Sequence, residues 1–187
     1  MKIEDLLIEI PVLETDRLLL RKIVLTDIDD IFEFSSDPEV AYHMTWETNR
    51  SKEETLTNFL KPVIKGYNSG LSAEWAVVHK ESGKIIGTCS LVNWSNEHYK
   101  AEIGYVFNRE YWGFGFATEA VNEVIIYGFN TLQLNRLEGR CDIDNPGSEK
   151  VMIKLGMQYE GLLRKNEFIK GIFRDTKIFS LLNNDFL

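Results

Sequence analysis

The sequence of 187 residues has no apolar run that approaches the ~20 residues of a membrane span, so we expect no membrane protein. The N-terminal segment MKIEDLLIEIP is acidic and lacks the layout of a signal peptide, which favours the cytoplasm. Cysteine is scarce, and Cys89 and Cys141 lack the spacing of metal ligands. We therefore expect free thiols in a reducing compartment and no metal site. Histidine is scarce too, and His43 and His98 are expected at the surface rather than in catalysis.

Basic side chains are outnumbered, with 21 Lys and Arg against 29 Asp and Glu, which gives a formal net charge of −8. No basic patch stands apart, so nucleic acid is not an expected partner. The charge suits a cationic partner such as an amine or a basic peptide, although plain solubility explains it equally well. Repeats and linkers are lacking as well, and hydrophobic residues, at 44%, suffice for a core. Residues 1–187 are therefore expected to form a single domain.

Hydrophobic periodicity divides the chain into an α+β order of strands and helices. Capping signals at Thr26 and Ser51 open two helices, a third is expected over 117–129, and Asn145-Pro146 opens a fourth. Strands are expected over 17–23, 74–79, 84–92, 101–107, 136–142, 157–169 and 172–181. This order predicts a mixed, mostly antiparallel sheet with helices packed on it.

A segment of small residues joins the strand over 101–107 to the helix that follows it. The segment reads Gly113-Phe114-Gly115-Phe116-Ala117-Thr118, and its glycines let the backbone turn so that several N–H groups point at one spot. The N-terminal end of the helix adds a partial positive charge there, so the pattern predicts a phosphate-binding loop. No Gly-Lys-Ser/Thr ending makes it a Walker loop, and its position in mid-chain does not suit a dinucleotide-binding turn.

Four segments, spread over about residues 14–181, support one another. They are ETDRLLLR from Glu14, AEIGY from Ala101, YWGFGFATEA from Tyr111, and DNPGS from Asp144 followed by KLGM from Lys154. Together they resemble the GNAT superfamily of acetyl-CoA-dependent N-acetyltransferases, and more closely its RimJ/RimL branch, which is named after ribosomal-protein N-terminal acetyltransferases. One departure is Trp112, since the superfamily often has Gln or Arg at this position. The RimJ/RimL branch usually has an aromatic or apolar residue there.

The resemblance implies the GNAT fold, an α+β fold with about seven strands, a splayed sheet centre and helices on both faces. It implies acetyl-CoA as the co-substrate, with its pyrophosphate on backbone N–H groups of residues 113–118. A bulge on the central strand would free Tyr105, Val106 and Phe107 to pair with the pantetheine arm, as an added strand does. One of their N–H groups would polarise the thioester carbonyl. Asn145 is explained as a helix cap, and in the family this position also bonds the pantetheine.

Two side chains are candidates for the chemistry. In the RimJ/RimL branch, the serine that matches Ser148 faces the cofactor sulfur, where it can donate a proton or a hydrogen bond to the departing thiolate. Many other relatives use a tyrosine one helical turn later, but Met152 occupies that position here. A glutamate at the spacing of Glu167 is the general base in the same branch, and a solvated strand carboxylate explains it equally well. Alternative bases are Glu138, Glu102 and water.

The amine acceptor is the least determined part of the sequence. The irregular segment 42–50 is a candidate substrate wall through Tyr42 and Trp46, although aromatic packing at the edge of the domain explains them as well. The leading hypothesis is acetylation of the N-terminal amino group of a protein or peptide. The alternatives are a small-molecule amine, such as a polyamine, amino-acid derivative or antibiotic, and a non-catalytic acyl-CoA sensor. Both a monomer and a homodimer are compatible with the sequence.

Overall fold

The computed structural model describes residues 2–186. Within these residues, eight strands form one sheet in the order β1-β2-β3-β4-β5-β6-β8-β7. The strands are β1 (Leu13–Glu14), β2 (Leu18–Arg21), β3 (Ala73–His79), β4 (Ile85–Ser95), β5 (Lys100–Phe107), β6 (Arg136–Asp142), β7 (Gln158–Ile169) and β8 (Ile172–Leu182). All neighbours are antiparallel except β5 and β6. The predicted α+β fold is confirmed, and the strand added to the predicted seven is the two-residue β1.

Helices cover both faces of the sheet, as expected. They are α1 (Ile3–Leu7), α2 (Ile28–Ser35), α3 (Pro38–Ala41), α4 (Lys52–Thr55), α5 (Lys61–Tyr67), α6 (Phe116–Asn130), α7 (Pro146–Lys154) and α8 (Asn183–Phe186), and a π-helical turn (Leu56–Leu60) joins α4 to α5. Side chains alternate along β3, so that Trp75 packs in the core cluster of α6 while Ala76 packs in that of α2. The sheet therefore lies between two separate cores.

The centre of the sheet opens where β5 and β6 part. Their parallel pairing runs from Lys100 opposite Arg136 to Ile103 opposite Gly139. Beyond that point β5 continues to Phe107 in register with β4, and β6 continues to Asp142 in register with β8. Residues 104–107 are therefore paired on one side only, and a gap opens between them and residues 140–142.

The expected bulge lies on a different strand. The register between β4 and β5 shifts between Val92 and Ser95, so the extra residue belongs to β4. Asn93 adopts a positive φ of 51° at this shift, a conformation that asparagine tolerates better than most residues. The splay of β5 from β6 is thus not produced by a bulge within β5, because residues 102–107 keep an unbroken register with β4.

Candidate active site

A cavity of about 470 Å³ lies at the open end of the gap. It is bounded by the end of β5, the glycine-rich loop, the first turns of α7 and the segment after α3. The predicted residues that line it are Tyr42, Tyr105, Val106, Phe107, Gly113, Gly115, Phe116, Ala117, Thr118, Asn145 and Ser148. Three predicted residues, Phe114, Trp46 and Glu167, do not line it. Most of a site drawn from distant parts of the sequence is therefore brought together.

The glycine-rich loop has the backbone geometry that its sequence predicts. Gly113 and Gly115 have φ angles of 85° and 82°, in the left-handed region that disfavours side chains. The N–H of Glu119 donates to the Gly115 carbonyl (3.0 Å), which is the first hydrogen bond of α6. The N–H groups of residues 116–118 precede it and have no partner within the helix. These donors and the positive end of α6 face the cavity that residues 116–118 line.

Arg17 holds the loop in place from the opening strand. Its guanidinium donates to the Phe114 carbonyl (3.2 Å) and to Glu119 (2.7 Å from Nε), and it lies 4.4 Å from the centre of the Phe116 ring. Glu119 also accepts from the hydroxyl of Thr15 (2.5 Å). The first and third motif segments of the sequence are thus in direct contact, which sequence reasoning did not predict. The loop is fixed by side chains on the side away from the cavity.

The N-terminal part of α7 lies across the gap from β5. Asn145 caps the helix, since its Oδ1 accepts from the Ser148 N–H (3.0 Å) and Pro146 follows at the first helical position. This arrangement confirms the predicted cap and leaves the side-chain NH₂ of Asn145 outside it. Lys150 and Lys154, one and two turns further on, are exposed and line the cavity. They add positive charge to the side that holds the loop.

Tyr105 and Ser148 meet across the gap. The tyrosine hydroxyl lies 2.7 Å from Ser148 Oγ and 3.2 Å from the Ser148 carbonyl oxygen. Burial raises the pKa of Tyr105 above its ordinary value, although the hydrogen bond with Ser148 lowers it. Sequence reasoning used only the backbone of Tyr105, because the partner of its side chain is 43 residues away. Ser148 lines the cavity and is the residue of α7 that carries a hydroxyl, whereas Met152, one turn further on, is buried.

Glu167 lies on β7 and does not line the cavity. It is directly opposite Arg174 on β8, so the two side chains share one face of the sheet. Arg174 donates to Asp142 (2.5 Å), and its guanidinium lies 4.7 Å from the centre of the Tyr42 ring. Arg174 thus connects the face of the sheet that carries Glu167 with Tyr42, which lines the cavity.

Two further residues lie in the segment after α3. His43 lines the cavity, its Nδ1 is buried without a hydrogen-bond partner, and this atom lies 3.9 Å from Asp142. Burial lowers the pKa of His43, whose side chain is half-buried and keeps 22% of its exposure, whereas His98 is exposed. Trp46 packs against the core cluster of α2, which is the alternative that its sequence left open.

The alternative carboxylates are held by neighbouring cations. Glu138 accepts from Lys100 (3.1 Å) and Arg136 (2.9 Å), and it lies 3.6 Å from Arg140. Glu102 lies 3.3 Å from the same Arg140. These ion pairs across β5 and β6 account for both carboxylates, as their strand pattern indicated.

Residues 2–186 hold no group of three or more His, Cys, Asp or Glu side chains placed to bind a metal ion. No helix in this range combines the length and apolar character needed to cross a bilayer.

Comparison with known proteins decides the family. The family described as "Acetyltransferase (GNAT) domain" matches residues 17–158. The chain belongs to the GNAT acetyltransferase family. It is 39% identical to the uncharacterized N-acetyltransferase p20 of Bacillus licheniformis over 176 residues, which cover 93% of this chain and 97% of that protein. A GNAT acetyltransferase structure from Bacillus anthracis superposes with a TM-score of 0.82 at 29% identity, covering 93% of this chain and 99% of that one.

This GNAT acetyltransferase is an acetyl-CoA-dependent N-acetyltransferase, as its family and relatives indicate. A more distant relative is named for its acceptor: the ribosomal-protein-serine acetyltransferase of Escherichia coli is 28% identical over 137 residues, which cover 73% of this chain and 75% of that protein. The three proteins thus agree on acetyl transfer, and one of them is named for its acceptor.

One carboxyl group of this acetyltransferase was not singled out in the sequence. Glu74 on β3 lies opposite Ser90 on β4, which in turn lies opposite Gly104 at the start of the gap. Burial raises the pKa of Glu74 to about 7, although hydrogen bonds with Thr88 and Ser90 lower it. A carboxyl group that titrates near neutral pH makes the stability of the sheet centre depend on pH.

We predict that Glu74→Gln removes part of this pH dependence. The folded state holds the proton of Glu74 up to a pKa of about 7, against 4.5 for the ordinary carboxyl. The contribution of protonated Glu74 to the free energy of unfolding is therefore fully present below pH 4.5. It is lost as the pH rises to about 7. The melting temperature of the variant minus that of the wild type should therefore be larger at pH 8 than at pH 4.5. Glu81→Gln, at an exposed position in the β3–β4 turn, is the control. An equal difference in melting temperature at both pH values would contradict the assignment.

Proposed function

We propose that this enzyme transfers the acetyl group of acetyl-CoA to the N-terminal amino group of a protein or peptide, as the RimJ/RimL branch does. The observation that carries this proposal is the cavity where β5 and β6 diverge. The glycine-rich loop and the hydrogen-bonded pair Tyr105–Ser148 line this one cavity. In the proposal residues 1–187 act as one catalytic domain in the cytoplasm.

The loop fits the phosphates of coenzyme A. Backbone N–H groups of residues 113–118, the positive end of α6 and the ammonium groups of Lys150 and Lys154 together form a cationic surface on one side of the cavity. A Cβ at Gly113 would meet nothing within 4 Å, so the left-handed backbone rather than crowding explains the glycine. In the proposal these groups bind the pyrophosphate, and Phe114 takes part through its backbone.

The gap fits the pantetheine arm. Because Tyr105, Val106 and Phe107 pair only with β4, their edge toward β6 can accept an extended amide-containing chain. Asn145 lines the same cavity, and the helix cap does not use its NH₂ group. A backbone N–H of the freed edge polarises the thioester carbonyl and stabilises the charge that develops on its oxygen.

Acetyl transfer requires a neutral amine and a stabilised leaving group. An α-amino group has a pKa near ~8, so one carboxylate acting through water suffices as the base, and we assign this role to Glu167. A thiol has a pKa near ~8.5, so the departing thiolate needs only a hydrogen-bond donor, which Ser148 supplies. Tyr42 forms the exposed wall on the acceptor side, where Arg174 stacks on its ring.

The choice of a protein N-terminus is supported by charge and by one relative. The net charge of −8 favours a basic acceptor, and the ribosomal-protein-serine acetyltransferase of Escherichia coli shares 28% of its residues over the aligned part. Small amines carry the same reacting group, so the acceptor panel below includes them. A non-catalytic sensor would bind the co-substrate without turnover.

We predict that Gly115→Glu weakens coenzyme A binding at least about tenfold, because it places a carboxylate in the cradle of N–H groups. The matched control is Gly83→Glu in the β3–β4 turn, since Gly83 also has a positive φ (70°, against 82° at Gly115) and open space around it. Each left-handed substitution costs about 1–2 kcal/mol of stability, so the two variants should melt alike. Calorimetry should show a dissociation constant raised at least roughly tenfold for Gly115→Glu alone. Equal affinities in the two variants would remove the loop from the site.

We predict that Glu167→Gln lowers turnover roughly 10²-fold with little change in coenzyme A affinity. Thiol release is measured on a panel of peptides with free N-termini, polyamines and amino-acid derivatives, with Glu97→Gln in the β4–β5 turn as the control. Peptides are expected to give the highest kcat/KM. Turnover of small amines alone would contradict the acceptor, tight binding without any turnover would indicate a sensor, and a near-native rate for Glu167→Gln would move the base to water.

A further inference from the structure

We propose that Tyr105 is a positioning residue that aims the hydroxyl proton of Ser148 at the sulfur of the leaving thiolate. This inference rests on the proposed role of Ser148. The geometry that carries it is the hydrogen bond of 2.7 Å between the two hydroxyl groups inside the cavity.

The hydrogen bond has two possible directions, and only one of them serves the thiolate. When Tyr105 donates to Ser148 Oγ, the serine proton is left free to point into the cavity. When Ser148 donates to Tyr105, the tyrosine proton turns to the Ser148 carbonyl at 3.2 Å, and the sulfur would face serine lone pairs. Both directions fit the 2.7 Å distance between the two hydroxyl oxygens, and a negative sulfur in the cavity selects the first, because it accepts the serine proton.

The surroundings keep Tyr105 in its protonated form. Burial raises its pKa, so at neutral pH the phenol is a donor and not a base. Cys89 lies directly opposite Tyr105 in the sheet, and Cys141 lies on β6 across the gap. Burial raises the pKa of both thiols, that of Cys141 to about 11, so neither places a charge beside the phenol. The proton of Tyr105 is therefore available over the working pH range.

The reaction balances without a change of protonation at either hydroxyl. The amine nitrogen forms a bond to the acetyl carbon as the bond from that carbon to sulfur breaks. The amine proton leaves to the base or to water, and the sulfur departs as a thiolate. Ser148 donates a hydrogen bond to this thiolate, Tyr105 donates to Ser148, and the thiolate later takes a proton from solvent.

Tyr105→Phe removes the hydroxyl and keeps the ring. The loss of one hydrogen bond should lower kcat about tenfold and leave the KM for acetyl-CoA and the dissociation constant of coenzyme A unchanged. Ser148→Ala should lower kcat more, and adding Tyr105→Phe to it should cause no further loss, because the tyrosine acts through the serine. Tyr127→Phe is the control, since Tyr127 is buried in α6 and bonds the Leu6 carbonyl away from the cavity.

A second readout needs no turnover. The thiolate of bound coenzyme A is titrated by its ultraviolet absorbance, and the proposal predicts that the pKa of the bound thiol rises in Tyr105→Phe and in Ser148→Ala. The double variant should match Ser148→Ala. If this pattern holds without acetyl transfer, the inference stands while the proposed function fails. Independent losses in the double variant, a weaker coenzyme A affinity with unchanged kcat, or an unchanged thiol pKa would overturn the inference.

Discussion

The divergence of β5 from β6 is the constraint on which the rest of the site depends. The two parallel strands pair over only four positions, and each then follows its other neighbour. Because both strands run in the same direction, the helices that follow them, α6 and α7, begin at the same mouth of the gap. One gap therefore gathers two helix N-termini, a freed strand edge and the hydroxyl of Ser148. The exposed edge is a liability for a bare sheet, and a bound extended chain relieves it.

Local signals predicted the parts of the site that are built from neighbouring residues. The glycines of the loop need left-handed backbone, and Asn145-Pro146 caps a helix whichever fold surrounds it, so both were predictable. The pairs that determine side-chain chemistry join distant residues. Tyr105 meets Ser148 across 43 positions and Arg17 meets Glu119 across 102, and no spacing rule reaches that far. The proximity of His43 to Asp142, 99 positions further along the chain, was likewise not predictable.

In the proposed function, the co-substrate side and the acceptor side of the cavity follow different physical rules. The co-substrate side is formed largely by backbone N–H groups. The fold sets the direction of these groups, and the side chains of the same residues are replaceable. The acceptor side is formed by side chains of the segment after α3 and of β8, including Tyr42 and Arg174. These residues belong to none of the four motif segments. For this reason the sequence indicates which group is transferred much better than it indicates which molecule receives it. Trp46, a candidate wall in the sequence, packs against the core cluster of α2.

The most direct test of the account is amide hydrogen exchange along β5, with and without saturating coenzyme A. The account predicts that the amides of residues 104–107 that face the gap exchange fast in the free protein, since β6 leaves them unpaired. On binding they should exchange more slowly, while the amides of residues 100–103, which β6 already protects, should change little. Binding of coenzyme A with unchanged exchange at 104–107 would contradict the central claim that the pantetheine arm pairs with this edge.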